Sequence, residues 1–245
     1  MRAACVQLSV RECDACDNNR RALQLSADAA DSGADIIVLP ELFLTGFCYD
    51  LEPERYPYPS LISFRALSLD SGAILAGSIM ASSERGVLNM GFCMAGAEMG
   101  FYCKTHPFGD EKRHFVPGER ISPVRIADLS IGLEICYDIR FPEVARKLCA
   151  SGADILITVA QFPAERIHHW RALVIARAIE NQIHHIACNA SGSAGGSSMI
   201  VGPAGEVLAE AGGEECVVIA DLDLDERDQV RRSVTCWEDR RPELY

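Results

Sequence analysis

The chain has 245 residues, 49% of them apolar and 24% charged, enough to bury a large core, so one α/β domain over 1–245 is the expected organisation. Its formal charge of −12 argues against a nucleic-acid partner, because phosphate binding relies on clustered Lys and Arg, and the arginine pairs at 20–21, 231–232 and 240–241 are isolated. With no stretch of about 18 or more uncharged apolar residues, and charges where a signal peptide needs its apolar region, the expectation is no membrane partner and a cytoplasmic protein.

RAACVQLSV alternates as a strand, NNRRALQLSADAADSG has helical periodicity and ends at Gly33, and ADIIVLP is a second strand-like run, which makes a β-α-β opening. Glu41 closes that run. Residues 48–60 read as a loop, SLISFRALSLDSG as a helix, and AILAGSIMAS, GVLNMGFCMA and a segment ending near Cys103 as strands. Lys104 closes the last of these, ahead of THPFGDE. The pattern then restarts with strand-like VRIAD and IGLEIC, helix PEVARKLCASG with Pro142 in its first turn, strand ADILITVA, a long helix from about Ala164 to Asn181, and strand IHHIACN. Cys136 ends IGLEIC and enters the tight turn YDIRFPE. After the short connection SGSAGGSS come MIVGP, a turn at Pro203–Gly205, EVLAE and the final strand CVVIADLDL. The echo of SGADII at 32–37 in SGADIL at 151–156 has two readings: pseudo-symmetry of two halves, or convergence, since helix–Gly–strand junctions favour such sequences.

Eleven cysteines sit mostly in apolar segments, where free Cys acts as a small hydrophobe. A disulfide framework is therefore not expected, and a reducing compartment is the simpler reading. Cys13 and Cys16 form a CxxC without a second CxxC or a His pair at zinc spacing, so the motif reads as structural or incidental. The histidines at 106, 114, 168–169 and 184–185 lack metal-site spacing, and SGSAGGSS lacks the spacing and strand context of a serine nucleophile elbow. No metal and no cofactor are expected.

Three complementary groups, a carboxylate, an ammonium and a thiol, thus terminate three strand-like segments. A thiol attacks a carbonyl or nitrile carbon as thiolate and needs a base or a favourable field. A buried carboxylate, its pKa raised by desolvation, suits the base. A lysine stabilises both the thiolate and the oxyanion formed on attack. Singly, each has an ordinary structural reading: Cys136 as a core cysteine, Lys104 as a strand-end lysine, Glu41 as a cap. Jointly, VLPELFLTGF, YCKTHPFGDE and EICYDIRFPE, with HHWRALVIARAIENQ and RRPELY, resemble the signature blocks of the nitrilase, or carbon-nitrogen hydrolase, superfamily over essentially the whole chain.

That resemblance implies a four-layer α-β-β-α sandwich and a Glu-Lys-Cys triad of Glu41, Lys104 and Cys136, with Glu111 as a second carboxylate orienting the lysine and the Tyr137 backbone N–H as an oxyanion donor. Asp110 and Glu119 are neighbouring candidates for the Glu111 role. Arg140, four residues after Cys136, resembles the block of omega-amidase-type members, whose substrates are monoamides of small dicarboxylic acids. An Arg fork suits a substrate carboxylate, and the competing reading is an ion pair with Asp138 or Glu143. Gln161 and Phe162 follow a strand and are expected to form a pocket wall. His106 and His169 are expected to make structural hydrogen bonds. The sequence departs from the family pattern at Pro107, where Leu is common, and in the short stretch between Phe47 and Ile74. The expected function is thiol-dependent amide hydrolysis releasing ammonia from a small carboxylic amide, with an N-carbamoyl-amine hydrolase or a nitrilase using the same triad as alternatives. Two rivals of other classes are a catalytically silent protein of this fold that binds a metabolite or partner, and a thiol redox protein using Cys13 and Cys16. Family members usually pair through helices and the chain terminus, so a homodimer or higher homo-oligomer is expected.

Overall fold

The computed structural model describes residues 1–244. β1 (Arg2–Gln7), α1 (Ala15–Asp31) and β2 (Ile36–Val38) form the opening unit, with the strands parallel and Ala3 opposite Ile36. Asp14 caps α1, its carboxylate accepting the Asp17 N–H at 3.2 Å. α2 (Ile62–Ser71) returns the chain to β3 (Ile74–Ser83), and β4 (Gly86–Ala95) and β5 (Glu98–Cys103) follow as antiparallel neighbours. A single helical turn, α3 (Glu111–His114), lies in the connection to the second half.

That half contains β6 (Val124–Ile126), β7 (Leu129–Ile135), α4 (Pro142–Ala150), β8 (Ile155–Ala160), α5 (Ile167–Asn181), β9 (His185–Asn189), β10 (Met199–Val201) and β11 (Val207–Glu210). β12 (Cys216–Asp221) crosses back to pair with β1, and α6 (Glu226–Ser233), which the sequence reading did not anticipate, follows it. α6 has no buried residue, so no apolar stripe announces it.

The two six-stranded sheets run β12-β1-β2-β3-β4-β5 and β11-β10-β9-β8-β7-β6. Each has a parallel centre, β1-β2-β3 in one and β7-β8-β9 in the other, flanked by antiparallel strands. Strand by strand, β6 corresponds to β12 and β7 through β11 to β1 through β5, so SGADII and SGADIL lead into equivalent strands, β2 and β8. The echo therefore follows a pseudo-symmetric architecture.

Strand periodicity sorts the core, because alternate residues face opposite sides. Ala3, Cys5, Ile36, Val38, Ile74 and Ala76 pack against Ile131, Leu133, Ile155, Ile157 and Ile186 between the sheets. Their neighbours Ala4, Val6, Ile37 and Leu75 face outward onto Ala22 and Ala29 of α1 and Phe64 of α2. Leu156 packs outward against Val144, Ala145 and Leu148 of α4. The result is the α-β-β-α sandwich that the resemblance implied. Gly91 marks the closest approach of the two sheets, since a Cβ there would lie 2.7 Å from Leu133.

The cysteine reading needs correction at one pair. Cys13 is bonded to Cys48, while Cys16 is free and exposed and the other eight cysteines are free. The CxxC does not close on itself, because Asp14 caps α1 and places Cys16 in its first turn. Cys13 lies before the cap with a left-handed φ of 62° and donates its N–H to Thr45 O at 3.0 Å, which turns it toward the loop after β2. The Cα atoms are 5.2 Å apart across 35 residues of sequence, a proximity that only the fold creates.

Candidate active site

Glu41, Lys104, Cys136 and Gln161 emerge where β2, β5, β7 and β8 end, so the carboxyl edges of three parallel strands and the end of β5 converge. Such crevices at strand carboxyl ends are the usual ligand sites of α/β sheets. Glu41 is fully buried and Lys104 is 1% exposed. The Lys104 Nζ donates to Glu41 Oε1 at 2.7 Å and to Glu111 Oε1 at 2.9 Å. Asn89 Nδ2 donates to the same Glu41 oxygen at 2.8 Å, and Gln161 N–H donates to Glu41 Oε2 at 3.1 Å. Gln161 Nε2 also reaches the Glu41 carbonyl at 2.9 Å. Both carboxylate oxygens of Glu41 are thus held.

α3 supplies Glu111 from its first position. The turn is fastened by Phe115 N–H donating to Glu111 O at 2.8 Å and by Tyr49 stacking on His114 at 3.8 Å. Of the three acids considered near Lys104, Glu111 is the one that reaches it. Asp110 pairs with Arg113, and Glu119 with Arg85.

Cys136 opens a 3-10 segment, Cys136–Arg140, with a φ of 47°. A left-handed non-glycine residue is a strained conformation that the surroundings must impose. Here Asp138 imposes it. Its buried carboxylate accepts the Ile135 N–H at 3.2 Å, Tyr102 Oη at 2.9 Å, Thr105 Oγ1 at 2.9 Å and the His106 N–H at 3.0 Å. One residue therefore ties the turn that displays Cys136 to the loop that carries Lys104. The His106 ring lies 2.8 Å from Asp138 through Nδ1 and stacks on Phe141 at 3.8 Å, the structural role expected of it.

Burial raises the Cys136 thiol well above its ordinary pKa; Glu41 adds to the rise and Lys104 opposes it. Burial pushes the Lys104 ammonium down, but Glu41, Cys136 and Glu111 together outweigh it and the net shift is upward. Burial and then Glu41 push the Glu111 carboxyl up, against Lys104. The resting cluster is therefore a neutral thiol beside a lysine fixed as a cation. Such a thiol reacts by handing its proton to a base as attack proceeds.

Above this cluster lies a cavity of about 190 Å³ lined by Phe47, Phe108, Glu111, Cys136, Tyr137, Arg140, Gln161, Phe162, Pro163 and Arg166. All four residues expected at the pocket, Tyr137, Arg140, Gln161 and Phe162, are there. A larger recess of about 520 Å³ beside β5, lined by residues such as Arg85, Phe101 and Glu119, contains none of the triad groups. Arg140 makes neither of the ion pairs considered for it, because Asp138 is saturated by other donors. Its guanidinium instead lies 4.8 Å over the Phe162 ring, with Nη1 3.4 Å from His169 Nδ1. Sequence reasoning missed Asn89, Phe108 and Arg166. Asn89 left a signal, a lone amide inside the apolar run GVLNMGFCMA; the other two left none, since they come from loops joined only in space. Among the described residues no group of three or more His, Cys, Asp or Glu is placed to hold a metal ion.

Comparison with known proteins identifies the family. The sequence matches the carbon-nitrogen hydrolase family over residues 2–232. It is 34% identical to the 2-oxoglutaramate amidase of Bacillus subtilis, over 99% of this chain and 98% of that protein. It is 33% identical to the omega-amidase YafV of Escherichia coli, over 85% of each. The crystal structure of Saccharomyces cerevisiae Nit3, a member of branch 10 of the nitrilase superfamily, superposes with a TM-score of 0.91 at 26% identity, over 100% of this chain and 97% of that one. The chain belongs to the carbon-nitrogen hydrolase family and is an amidase of that family.

Proposed function

We propose that the chain hydrolyses the terminal amide of a small dicarboxylic acid monoamide, with Cys136 as nucleophile, Glu41 as general base and acid, Lys104 as electrostatic stabiliser and Glu111 as the carboxylate that positions Lys104. The observation that carries this reading is the clamp of Lys104 Nζ between Glu41 and Glu111, within 3 Å of each, beside a cysteine in a left-handed turn whose cavity has Arg140 in its wall. The relatives named above for 2-oxoglutaramate and omega-amide hydrolysis support the same substrate class.

Glu41 takes the thiol proton as the Cys136 sulfur attacks the amide carbonyl carbon. The oxyanion forms between Lys104 Nζ and the Tyr137 N–H, which sits at the start of a 3-10 segment where N–H groups lack acceptors inside the turn. Collapse breaks the C–N bond, Glu41 delivers its proton to the departing nitrogen, and ammonia leaves a Cys136 thioester. Glu41 then takes a proton from water, whose oxygen attacks the thioester; the carboxylic acid departs and the thiol regains its proton. Gln161 fixes Glu41 through both backbone and side chain, Phe162 forms the floor under Arg140, and the Arg140 fork takes the substrate carboxylate.

We further propose that residues 1–245 act as one domain, since the two sheets share a continuous core, and that it works in the cytoplasm as a homodimer or higher homo-oligomer. Ile179 of α5, Leu208 of β11, Val234 and Leu244 are exposed apolar side chains available for association; among the described residues no helix is long and apolar enough to cross a membrane.

The test is ammonia release from 2-oxoglutaramate, succinamate, glutamine, aliphatic amides, nitriles and carbamoyl amines, with Cys136→Ala as control. Release from the anionic monoamides that disappears in the variant is expected. Turnover of a nitrile or carbamoyl amine in preference to every amide, or turnover that survives in Cys136→Ala, would overturn the reading.

A further inference from the structure

The pocket holds a second guanidinium that the mechanism above leaves unused. Arg166 lines the same cavity as Arg140 and Cys136. It sits in the 3-10 turn Ala164–Arg166 that leads from β8 into α5, and its guanidinium lies 5.4 Å over the Phe108 ring, as that of Arg140 lies 4.8 Å over Phe162. Stacking on a ring holds a guanidinium by its face and leaves its N–H edge free to bind. Its sequence neighbour Glu165 lines, with Glu12 and Ser193, an adjoining recess that meets the cavity at Phe47, Gln161 and Pro163. Neither arginine has an ion pair with a carboxylate among the described residues.

Beside them His169 Nδ1 lies 3.4 Å from Arg140 Nη1; desolvation, then His168, Arg140 and Arg166, lower its pKa, which leaves the ring a neutral neighbour of the two arginines. Gathering like charges around a small cavity is unfavourable unless an anion joins them. The single carboxylate of the lining, Glu111, is occupied by Lys104. The cavity is therefore polarised, with the amide end at Cys136 and a cationic end at Arg140 and Arg166. Its 190 Å³ is below the roughly 300–1,000 Å³ of drug-sized ligand sites, which restricts the substrate to a short chain.

We infer that Arg166 is a specificity-determining residue that, together with Arg140, binds the far end of the substrate as a 2-oxo carboxylate and rejects the same chain carrying a 2-ammonium group. This rests on the proposed function and deepens it. One fork satisfies a single carboxylate bidentately; a second guanidinium has a purpose when the ligand presents further acceptor oxygens, such as a 2-oxo group. An ammonium at that carbon would meet two cations and lose its hydration without compensation.

The experiment compares wild type, Arg166→Gln, Arg166→Lys and Arg140→Gln on 2-oxoglutaramate, glutamine and pentanamide, reading kcat and KM separately. For Arg166→Gln, the preference in kcat/KM for 2-oxoglutaramate over pentanamide should fall about 10–100-fold, the range expected for a lost charge-assisted hydrogen bond, and mainly through KM. The preference for 2-oxoglutaramate over glutamine should fall by about tenfold or more, and Arg166→Lys should restore much of both. Equal losses on all three substrates would make Arg166 merely structural and overturn the inference. Loss in Arg140→Gln without loss in Arg166→Gln would overturn it while leaving the proposed function intact. A wild type that turns over pentanamide but no anionic monoamide would overturn both.

Discussion

Lys104 is the residue on which the site's electrostatics turn, since its ammonium lies between two carboxylates that would otherwise face each other in the buried interior. Removing one partner of a buried charge network strands the others and typically costs about 3–5 kcal/mol. Lys104→Met is therefore expected to abolish turnover and also to lower stability. In that variant Glu111, already pushed up by burial and Glu41, loses the cation that opposes the rise, so the folded protein would be better preserved at pH 5 and lose stability as pH rises; melting curves at both pH values check this. Glu41→Gln keeps the shape and an acceptor for Lys104 but removes the base. We expect kcat to fall by roughly 10²–10⁴-fold, the contribution typical of general acid–base catalysis, with a smaller loss of melting temperature than Lys104→Met, since only the Gln161 N–H loses its acceptor. Asn89→Ala removes one of the two donors to Glu41 Oε1 and should reduce kcat about tenfold, the effect of one net hydrogen bond on alignment, with KM nearly unchanged.

At the scale of elements, the site is assembled by loops pinned to strand ends. The Cys13–Cys48 bridge joins the approach to α1 to the loop that follows Glu41. The next residue, Tyr49, stacks on His114 of α3, the turn that presents Glu111, and Phe47 lines the pocket. Disulfides closing loops of this length contribute about 2–4 kcal/mol. Cys48→Ser should lower the melting temperature and weaken turnover less than any triad substitution. Titration of denatured, unreduced wild type with a thiol reagent should count nine free cysteines; eleven would show that the bridge does not form. The sequence displayed both cysteines but not their pairing, because covalent partners 35 residues apart are chosen by the path of two loops and not by any local periodicity.

The whole molecule stores a second polar network on the outer face of the second sheet, under α5, where His185 Nδ1 lies 3.1 Å from Val174 O. Glu134 is fully buried and accepts from Thr158 Oγ1 at 3.0 Å, and that hydroxyl lies 2.7 Å from His185 Nε2. Burial, reinforced by Asp138, pushes the Glu134 carboxyl up to about 8, and burial pushes His185 down to about 4. Between an ordinary carboxyl value near 4.5 and about 8 the folded state keeps a proton that the unfolded chain has released. Stability linked to Glu134 therefore falls as pH rises through that window. His185 acts in the other direction: the unfolded imidazole protonates from about 6.5 downward while the buried one stays neutral, so its contribution is lost as pH falls toward 4. Glu134→Gln should raise the melting temperature relative to wild type more at pH 8 than at pH 5; an equal effect at both would show that Glu134 titrates normally.

Much of this protein is local in origin, and that part was readable. Period-two runs such as ADILITVA and IGLEIC specify strands because side chains alternate across a pleat. NNRRALQLSADAADSG specifies a capped helix, and three short blocks carry the triad at the ends of strands. Tertiary structure alone decided what meets across the chain. It chose Glu111 over Asp110 and Glu119 by folding one helical turn, sent Asp138 to Tyr102 and His106 and so left Arg140 facing the pocket, joined Cys13 to Cys48 instead of Cys16, and brought Arg166 into the same cavity as Arg140. Periodicity records which face of an element is buried, whereas partnership depends on distances between atoms far apart in sequence, and those exist only once the two sheets have packed.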